Sequence, residues 1–161
     1  MMAPHPQNLN LPLNLVGRTL LSGSAVALAT TMVLALRARA EGRHPIQPLN
    51  ATSHWYLGEA AGRSRALDLR HTLGGFLTHH AASLLWAGVF EGLRLWRPQS
   101  NPLGDAAAVS ALAAFVDYAV VPKRLTPGWE QVVTPKSITL AYVAMGLVLA
   151  TTAMCRRRDV P

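Results

Sequence analysis

Hydrophobic positions along this chain run in long blocks, not in alternation. Thr19–Leu36 is 18 residues without a charged side chain, Thr72–Phe90 is 19 without Asp, Glu, Lys or Arg, and Ser137–Cys155 is another 19. Ala106–Pro122 adds 17, interrupted by Asp117 and closed by Pro122. A hydrocarbon core about 30 Å thick needs roughly 20 helical residues, so each block with its flanks is long enough to span one. Strands would need period-two alternation, and soluble helices would need a broad polar face. Neither pattern is present. The blocks therefore predict an all-α fold: a polytopic transmembrane bundle of four helices over about 15–37, 71–96, 105–122 and 136–155, forming a single transmembrane domain over 1–161. The third block is the weakest of the four, and a three-helix version would leave it re-entrant or at the surface.

Composition supports the membrane reading. Half of the 161 residues are hydrophobic and 14% are charged, against about a quarter charged in an ordinary soluble domain. Lys and Arg number 15 and Asp and Glu 8. The excess of basic residues borders the helices and forms no stripe with interleaved aromatics, so the pattern excludes nucleic acid as a partner and points to lipid headgroups. Before the first block the only basic residue is Arg18, while Arg37 and Arg39 follow it. A cleavable signal has the opposite order, so the block reads as a retained anchor. The single cysteine, Cys155, excludes an intrachain disulfide and a cysteine-rich metal site.

Four spans would place both termini on one side and the connections 37–71 and 123–136 on the other. The connections hold nine basic residues and the tail side six, which leans toward cytoplasmic connections and external termini. The long first connection carries Pro45, Pro48 and the cluster His54, Trp55, Tyr56, suited to an interfacial segment over about 50–62. Asp105 is placed to cap the third helix. Pro127-Gly128 is turn material, Trp129 suits the interface, and Thr134-Pro135 suits a helix start.

Candidate chemistry lies in the polar residues within the blocks. His71, His79 and His80 belong to the second, and His79, Ser83 and Trp86 follow i, i+4, i+7 spacing on one face. Asp117 lies roughly 8 Å inside the end of the third block. Alternating topology places that end on the same side as His54 and His71. An ionisable group inside a membrane is costly, so Asp117 is expected to be buried and paired with His71 or His79. Tyr118, Ser83 and Thr78 could extend a structural network or a proton relay. On the opposite side, Arg18 and Glu91 could form an interhelical ion pair, and Glu91 has Arg94 three residues on. Serine, glycine and alanine in the first, third and fourth blocks favour close helix packing.

Three stretches, Asn50–Trp55, Arg70–Ser83 and Phe115–Glu130, resemble those of small uncharacterised bacterial inner-membrane proteins of this length. The resemblance implies a multi-pass protein of the bacterial inner (cytoplasmic) membrane and lends no activity. The leading functional expectation is therefore a non-enzymatic structural or accessory subunit, with membrane lipids as partners and self-association or a larger membrane complex as further possibilities. One alternative is a protein binding haem or a transition metal through His71 and His79, with His54 as a further ligand. The other is a small proton or solute transporter. The chain has no CxxCH, no HExxH and no paired ExxH ligands, and no catalytic residue is assigned.

Overall fold

The computed structural model describes residues 7–158, with side chains from 14 to 156. The described residues are helical, with no strand among them. Four helices are long: α1 (Gln7–Ala40), α4 (Gly74–Trp96), α5 (Pro102–Phe115) and α6 (Pro135–Arg158). Two short ones, α2 (Gln47–Ala51) and α3 (His54–Leu57), lie in the first connection. A π-helical turn over Leu69–Leu73 leads into α4, and a second over Val116–Val120 prolongs α5. α1 packs against α4 and α6, and α5 packs against α6 and α4.

Among the described residues, three segments are long and apolar enough to cross a membrane: Asn14–Ala40, Pro102–Val120 and Pro135–Arg156. The expected weak point is thereby corrected. The third block qualifies, and α4 is the less apolar helix. Its 23 residues would reach about 34 Å, but two histidines, Glu91, Arg94 and four glycines dilute its hydrophobicity. Much of that polarity is turned inward. His79, Ser83, Glu91 and Arg94 are buried, while Leu77, Leu85 and Val89 are exposed.

Small residues close two of the seams. A Cβ on Gly23 of α1 would meet the Leu84 backbone of α4 at 3.0 Å, and one on Gly146 of α6 would meet Ser110 Oγ of α5 at 3.1 Å. Gly75, near the start of α4, lets the first connection settle directly on the helix: a Cβ there would lie 2.1 Å from the Leu49 carbonyl oxygen. Asn50, fully buried, organises that connection. It donates to the carbonyls of Ser64 and Ala66, and accepts from the Thr72 hydroxyl at 2.8 Å.

Ion pairs tie the helices at one end and a hydrogen-bonded carboxylate at the other, with partners that differ from those expected. Glu91, 1% exposed, accepts two hydrogen bonds from Arg156 at 2.6 and 2.8 Å. Arg18 is not its partner; the Arg18 carbonyl instead accepts from Ser22 within α1. Arg156 comes from the C-terminal arginine run, and α6 brings it alongside α4. Arg94 does not pair with Glu91 either. It reaches Asp105 at 2.6 Å and the carbonyls of Pro98 and Ser100. Asp105 is therefore an ion-pair partner, and Asn101 caps α5 by accepting from Leu103 N–H. At the other end the Glu41 carboxylate accepts from Thr134 N–H at 2.9 Å, from the Thr134 hydroxyl at 2.8 Å and from the Ser137 hydroxyl. The carboxylate just beyond the end of α1 thus sits at the positive end of α6, where Thr134 was expected to cap.

Two predictions follow from these ties. Arg156→Gln strands a buried carboxylate and should cost about 3 kcal/mol, read as a lowered thermal midpoint in detergent, while the Glu91→Gln/Arg156→Gln double variant should recover part of the loss. The Ser137 hydrogen bond, aided by those of Thr134 and the charge of Arg37, holds the Glu41 carboxyl below its ordinary value of 4.5. A depressed acid stabilises the fold above that value and loses its contribution as pH falls through the folded-state value. Acidification below about pH 4.5 should therefore destabilise the wild type more than Glu41→Gln, measured as thermal midpoint against pH.

Candidate functional site

The polar residues inside the helices converge on a cavity of about 700 Å³. Leu77, Ala81, Ala82, Leu85 and Trp86 of α4 line one side, and Val116, Val121 and Leu125 the other. Since Leu77, Leu85 and Leu125 are exposed, the cavity opens sideways between α4 and the end of α5. α1 contributes Val26 and Thr30, and α6 contributes Ala141, Tyr142 and Met145. Thr52, Trp55, Pro127 and Trp129 close it from the connections.

Its polar inner end is built by His79, Asp117, Tyr142 and Trp129. His79 is 6% exposed. Its Nε2 lies 2.9 Å from Thr30 Oγ1 and 3.3 Å from the Ala27 carbonyl. A carbonyl only accepts, so Nε2 carries the proton and Nδ1 is left with a lone pair. The Thr30 hydroxyl donates onward to the Val26 carbonyl at 2.8 Å. Trp129 meets the His79 ring edge-on at 5.5 Å and the Tyr142 ring at 5.8 Å. Gly128 holds this turn at φ +82, and a Cβ there would lie 2.7 Å from both the Ala51 carbonyl oxygen and His54 Nδ1. A left-handed conformation under so close an approach explains the glycine.

Asp117 is not paired with a histidine. Its Oδ2 accepts from the Tyr142 hydroxyl at 2.7 Å. Asp117 is the second residue of the π-helical turn over Val116–Val120, and its carboxylate meets α6 through Tyr142. Tyr118 packs edge-on against Tyr142 at 6.3 Å. His71 lies in the other π-helical turn, where its N–H donates to Asp68 at 2.6 Å and its ring lies 2.9 Å from the same carboxylate. Those hydrogen bonds hold the Asp68 carboxyl below the ordinary range. His80 sits 3.0 Å from Ser24 of α1 and stacks on Phe76. Ser83 donates to the His79 carbonyl. Arg18 and Glu91 lie toward the opposite end, away from the cavity lining.

His54 is buried, with Nδ1 2.9 Å from the Ala51 carbonyl. It lines a second basin of about 650 Å³ with Tyr118, Lys123, Arg124 and Glu130, separated from the first cavity by Trp55, which lines both. Trp55 Nε1 donates to the Thr126 carbonyl at 2.9 Å. His54, His71 and His79 thus have separate partners, and no group of three His, Cys, Asp or Glu among the described residues could hold a metal ion. Among the described residues the three histidines expected to hold haem or a metal thus form no three-ligand metal group. Tyr142, Trp129 and Thr30 are site residues that sequence reasoning missed. The one available signal was that Tyr142 is the single tyrosine of its apolar block. No protein-family model matches the chain, nor does any curated protein or solved structure.

The Tyr142–Asp117 contact orders the variants. Asp117→Asn keeps an acceptor for the hydroxyl. Asp117→Leu leaves that hydroxyl buried and unpaired, at a cost of about 1–3 kcal/mol. Thermal midpoints should therefore fall in the order wild type, Asp117→Asn, Asp117→Leu, with Tyr142→Phe/Asp117→Leu milder than Asp117→Leu alone.

Proposed function

We propose that this chain is a four-span protein of the bacterial inner membrane, with residues 50–62 at the interface, and that it acts as a non-enzymatic binding or accessory protein whose lateral cavity holds a membrane-derived amphiphile. The cavity carries this reading. Its volume lies within the range of about 300–1,000 Å³ typical of small-molecule sites, and such sites are mostly apolar with a few convergent polar groups. Its rim is formed by leucines that a spanning α4 would turn to lipid, so an apolar molecule could enter without crossing water. Four spans are supported by the inward-turned polarity of α4 and by ion pairs that satisfy its two charged residues. Membrane lipids are accordingly the partners proposed, with self-association or a larger complex compatible with the same surface.

A proton path is the second reading, favoured by a carboxylate and a tyrosine hydroxyl inside the cavity. It differs in requiring that Asp117→Asn abolish proton flux in proteoliposomes while the fold survives. The amphiphile reading is tested by Ala82→Trp, which fills the cavity from α4. Protein purified in mild detergent should retain a stoichiometric apolar molecule by native mass spectrometry, and the variant should lose it while keeping its helical circular dichroism. Equal retention by both proteins would defeat the proposal.

A further inference from the structure

Resting on the amphiphile reading, we infer that the cavity selects an uncharged, hydroxyl-bearing lipid, such as a long-chain or isoprenoid alcohol, and rejects fatty acids and phospholipid heads. Among the described residues no Lys or Arg lines the cavity, and the one acidic residue that does is Asp117. An anionic head would therefore meet a carboxylate and no cation, in a setting where little water remains to screen them.

The hydroxyl hydrogens of the lining are already committed. Thr30 donates to Val26, Thr52 to Pro48, Thr78 to Gly74 and Ser83 to His79, each to a carbonyl four residues back. Tyr142 donates to Asp117. Besides the oxygens of those hydroxyls, which can still accept, the acceptors left without a hydrogen bond among the described residues are the lone pair of His79 Nδ1 and the second oxygen of Asp117. On the donor side remain the indole N–H groups of Trp86 and Trp129, which make none among the described residues. A hydroxyl is the small neutral group that both donates and accepts. It would give its hydrogen to Asp117 or His79 and take one from an indole, while the hydrocarbon lies against Val26, Leu77, Leu85 and Met145. An ether accepts but cannot donate, so it would leave the acceptors unmet.

Four probes of one chain length separate these demands: dodecanol, dodecyl methyl ether, dodecanoate and dodecylammonium, each titrated into the full chain as a mole fraction of the detergent micelle and read by tryptophan fluorescence and native mass spectrometry. Dodecanol should bind at least about tenfold more tightly than dodecanoate and about fivefold more tightly than the ether, factors within the reach of one satisfied or stranded hydrogen bond. His79→Phe should reduce the alcohol-over-ether preference to within about twofold while leaving ether binding unchanged, and Asp117→Asn, which keeps an acceptor, should retain most of that preference. Tighter binding of dodecanoate, or of dodecylammonium, would overturn the hydroxyl assignment, as would equal binding of alcohol and ether. Should all four bind alike and be lost together in Ala82→Trp, the cavity reading stands and the head selection fails. Should none bind the wild type, the cavity reading itself fails.

Discussion

Glu91 sits at 1% exposure inside a helix contact and is held by two short hydrogen bonds from Arg156. A carboxylate so placed is tolerable only with its partner in position, and that requirement fixes where α6 ends relative to α4. Arg94 with Asp105 does the same for α4 and α5, and Glu41 with Thr134 and Ser137 for α1 and α6 at the far end. In lipid, apolar side chains give a helix little reason to prefer another helix over hydrocarbon, so polar ties and close packing set the register. The three ties link all four long helices, and together they fix which faces of α4 and α5 can meet.

The cavity is what remains after the close seams are made. Gly23 brings α1 onto α4, and Gly146 brings α5 onto α6. Between α4 and the end of α5 the facing residues include Trp86, Leu77 and Val116, which cannot approach as glycine and alanine do. The lateral opening lies where these larger side chains stand, although Ala81 and Ala82 also line it. Packing that is tight on two seams and loose on a third gives a binding volume without loosening the fold.

Four long helices were legible from the apolar blocks, and among the described residues three segments are long and apolar enough to span. That the first and last connections share one end of the bundle was legible too, from simple alternation: Glu41 meets Thr134, and Trp55 meets Thr126. Pairings were not legible. Rotation counted at 100° per residue fails through a π-helical turn, and both His71 and Asp117 lie in one. Alternating topology put His71 and Asp117 in the same half of the bundle as His79, but each found another partner. Arg156 was overlooked for a different reason. A basic run at a helix end reads as a headgroup anchor, and only the tertiary arrangement shows one of its members reaching back to Glu91.

Trp129 shows how far the site depends on residues outside the long helices. It is 6% exposed, comes from a three-residue helical turn between α5 and α6, and touches both His79 and Tyr142. It can reach them because Gly128 adopts a positive φ with the Ala51 carbonyl and His54 ring pressed against it. The first connection thus presses the second into the end of the bundle, and the second carries an indole to the polar end of the cavity. This explains the length of the first connection. A link between α1 and α4 could be far shorter, but one that holds Gly128 in place must fold back through α2 and α3. The chemistry at the inner end of the cavity is therefore set jointly by α4, α6 and a loop held in a conformation that glycine favours, and a side chain added at position 128 would alter it without touching a long helix.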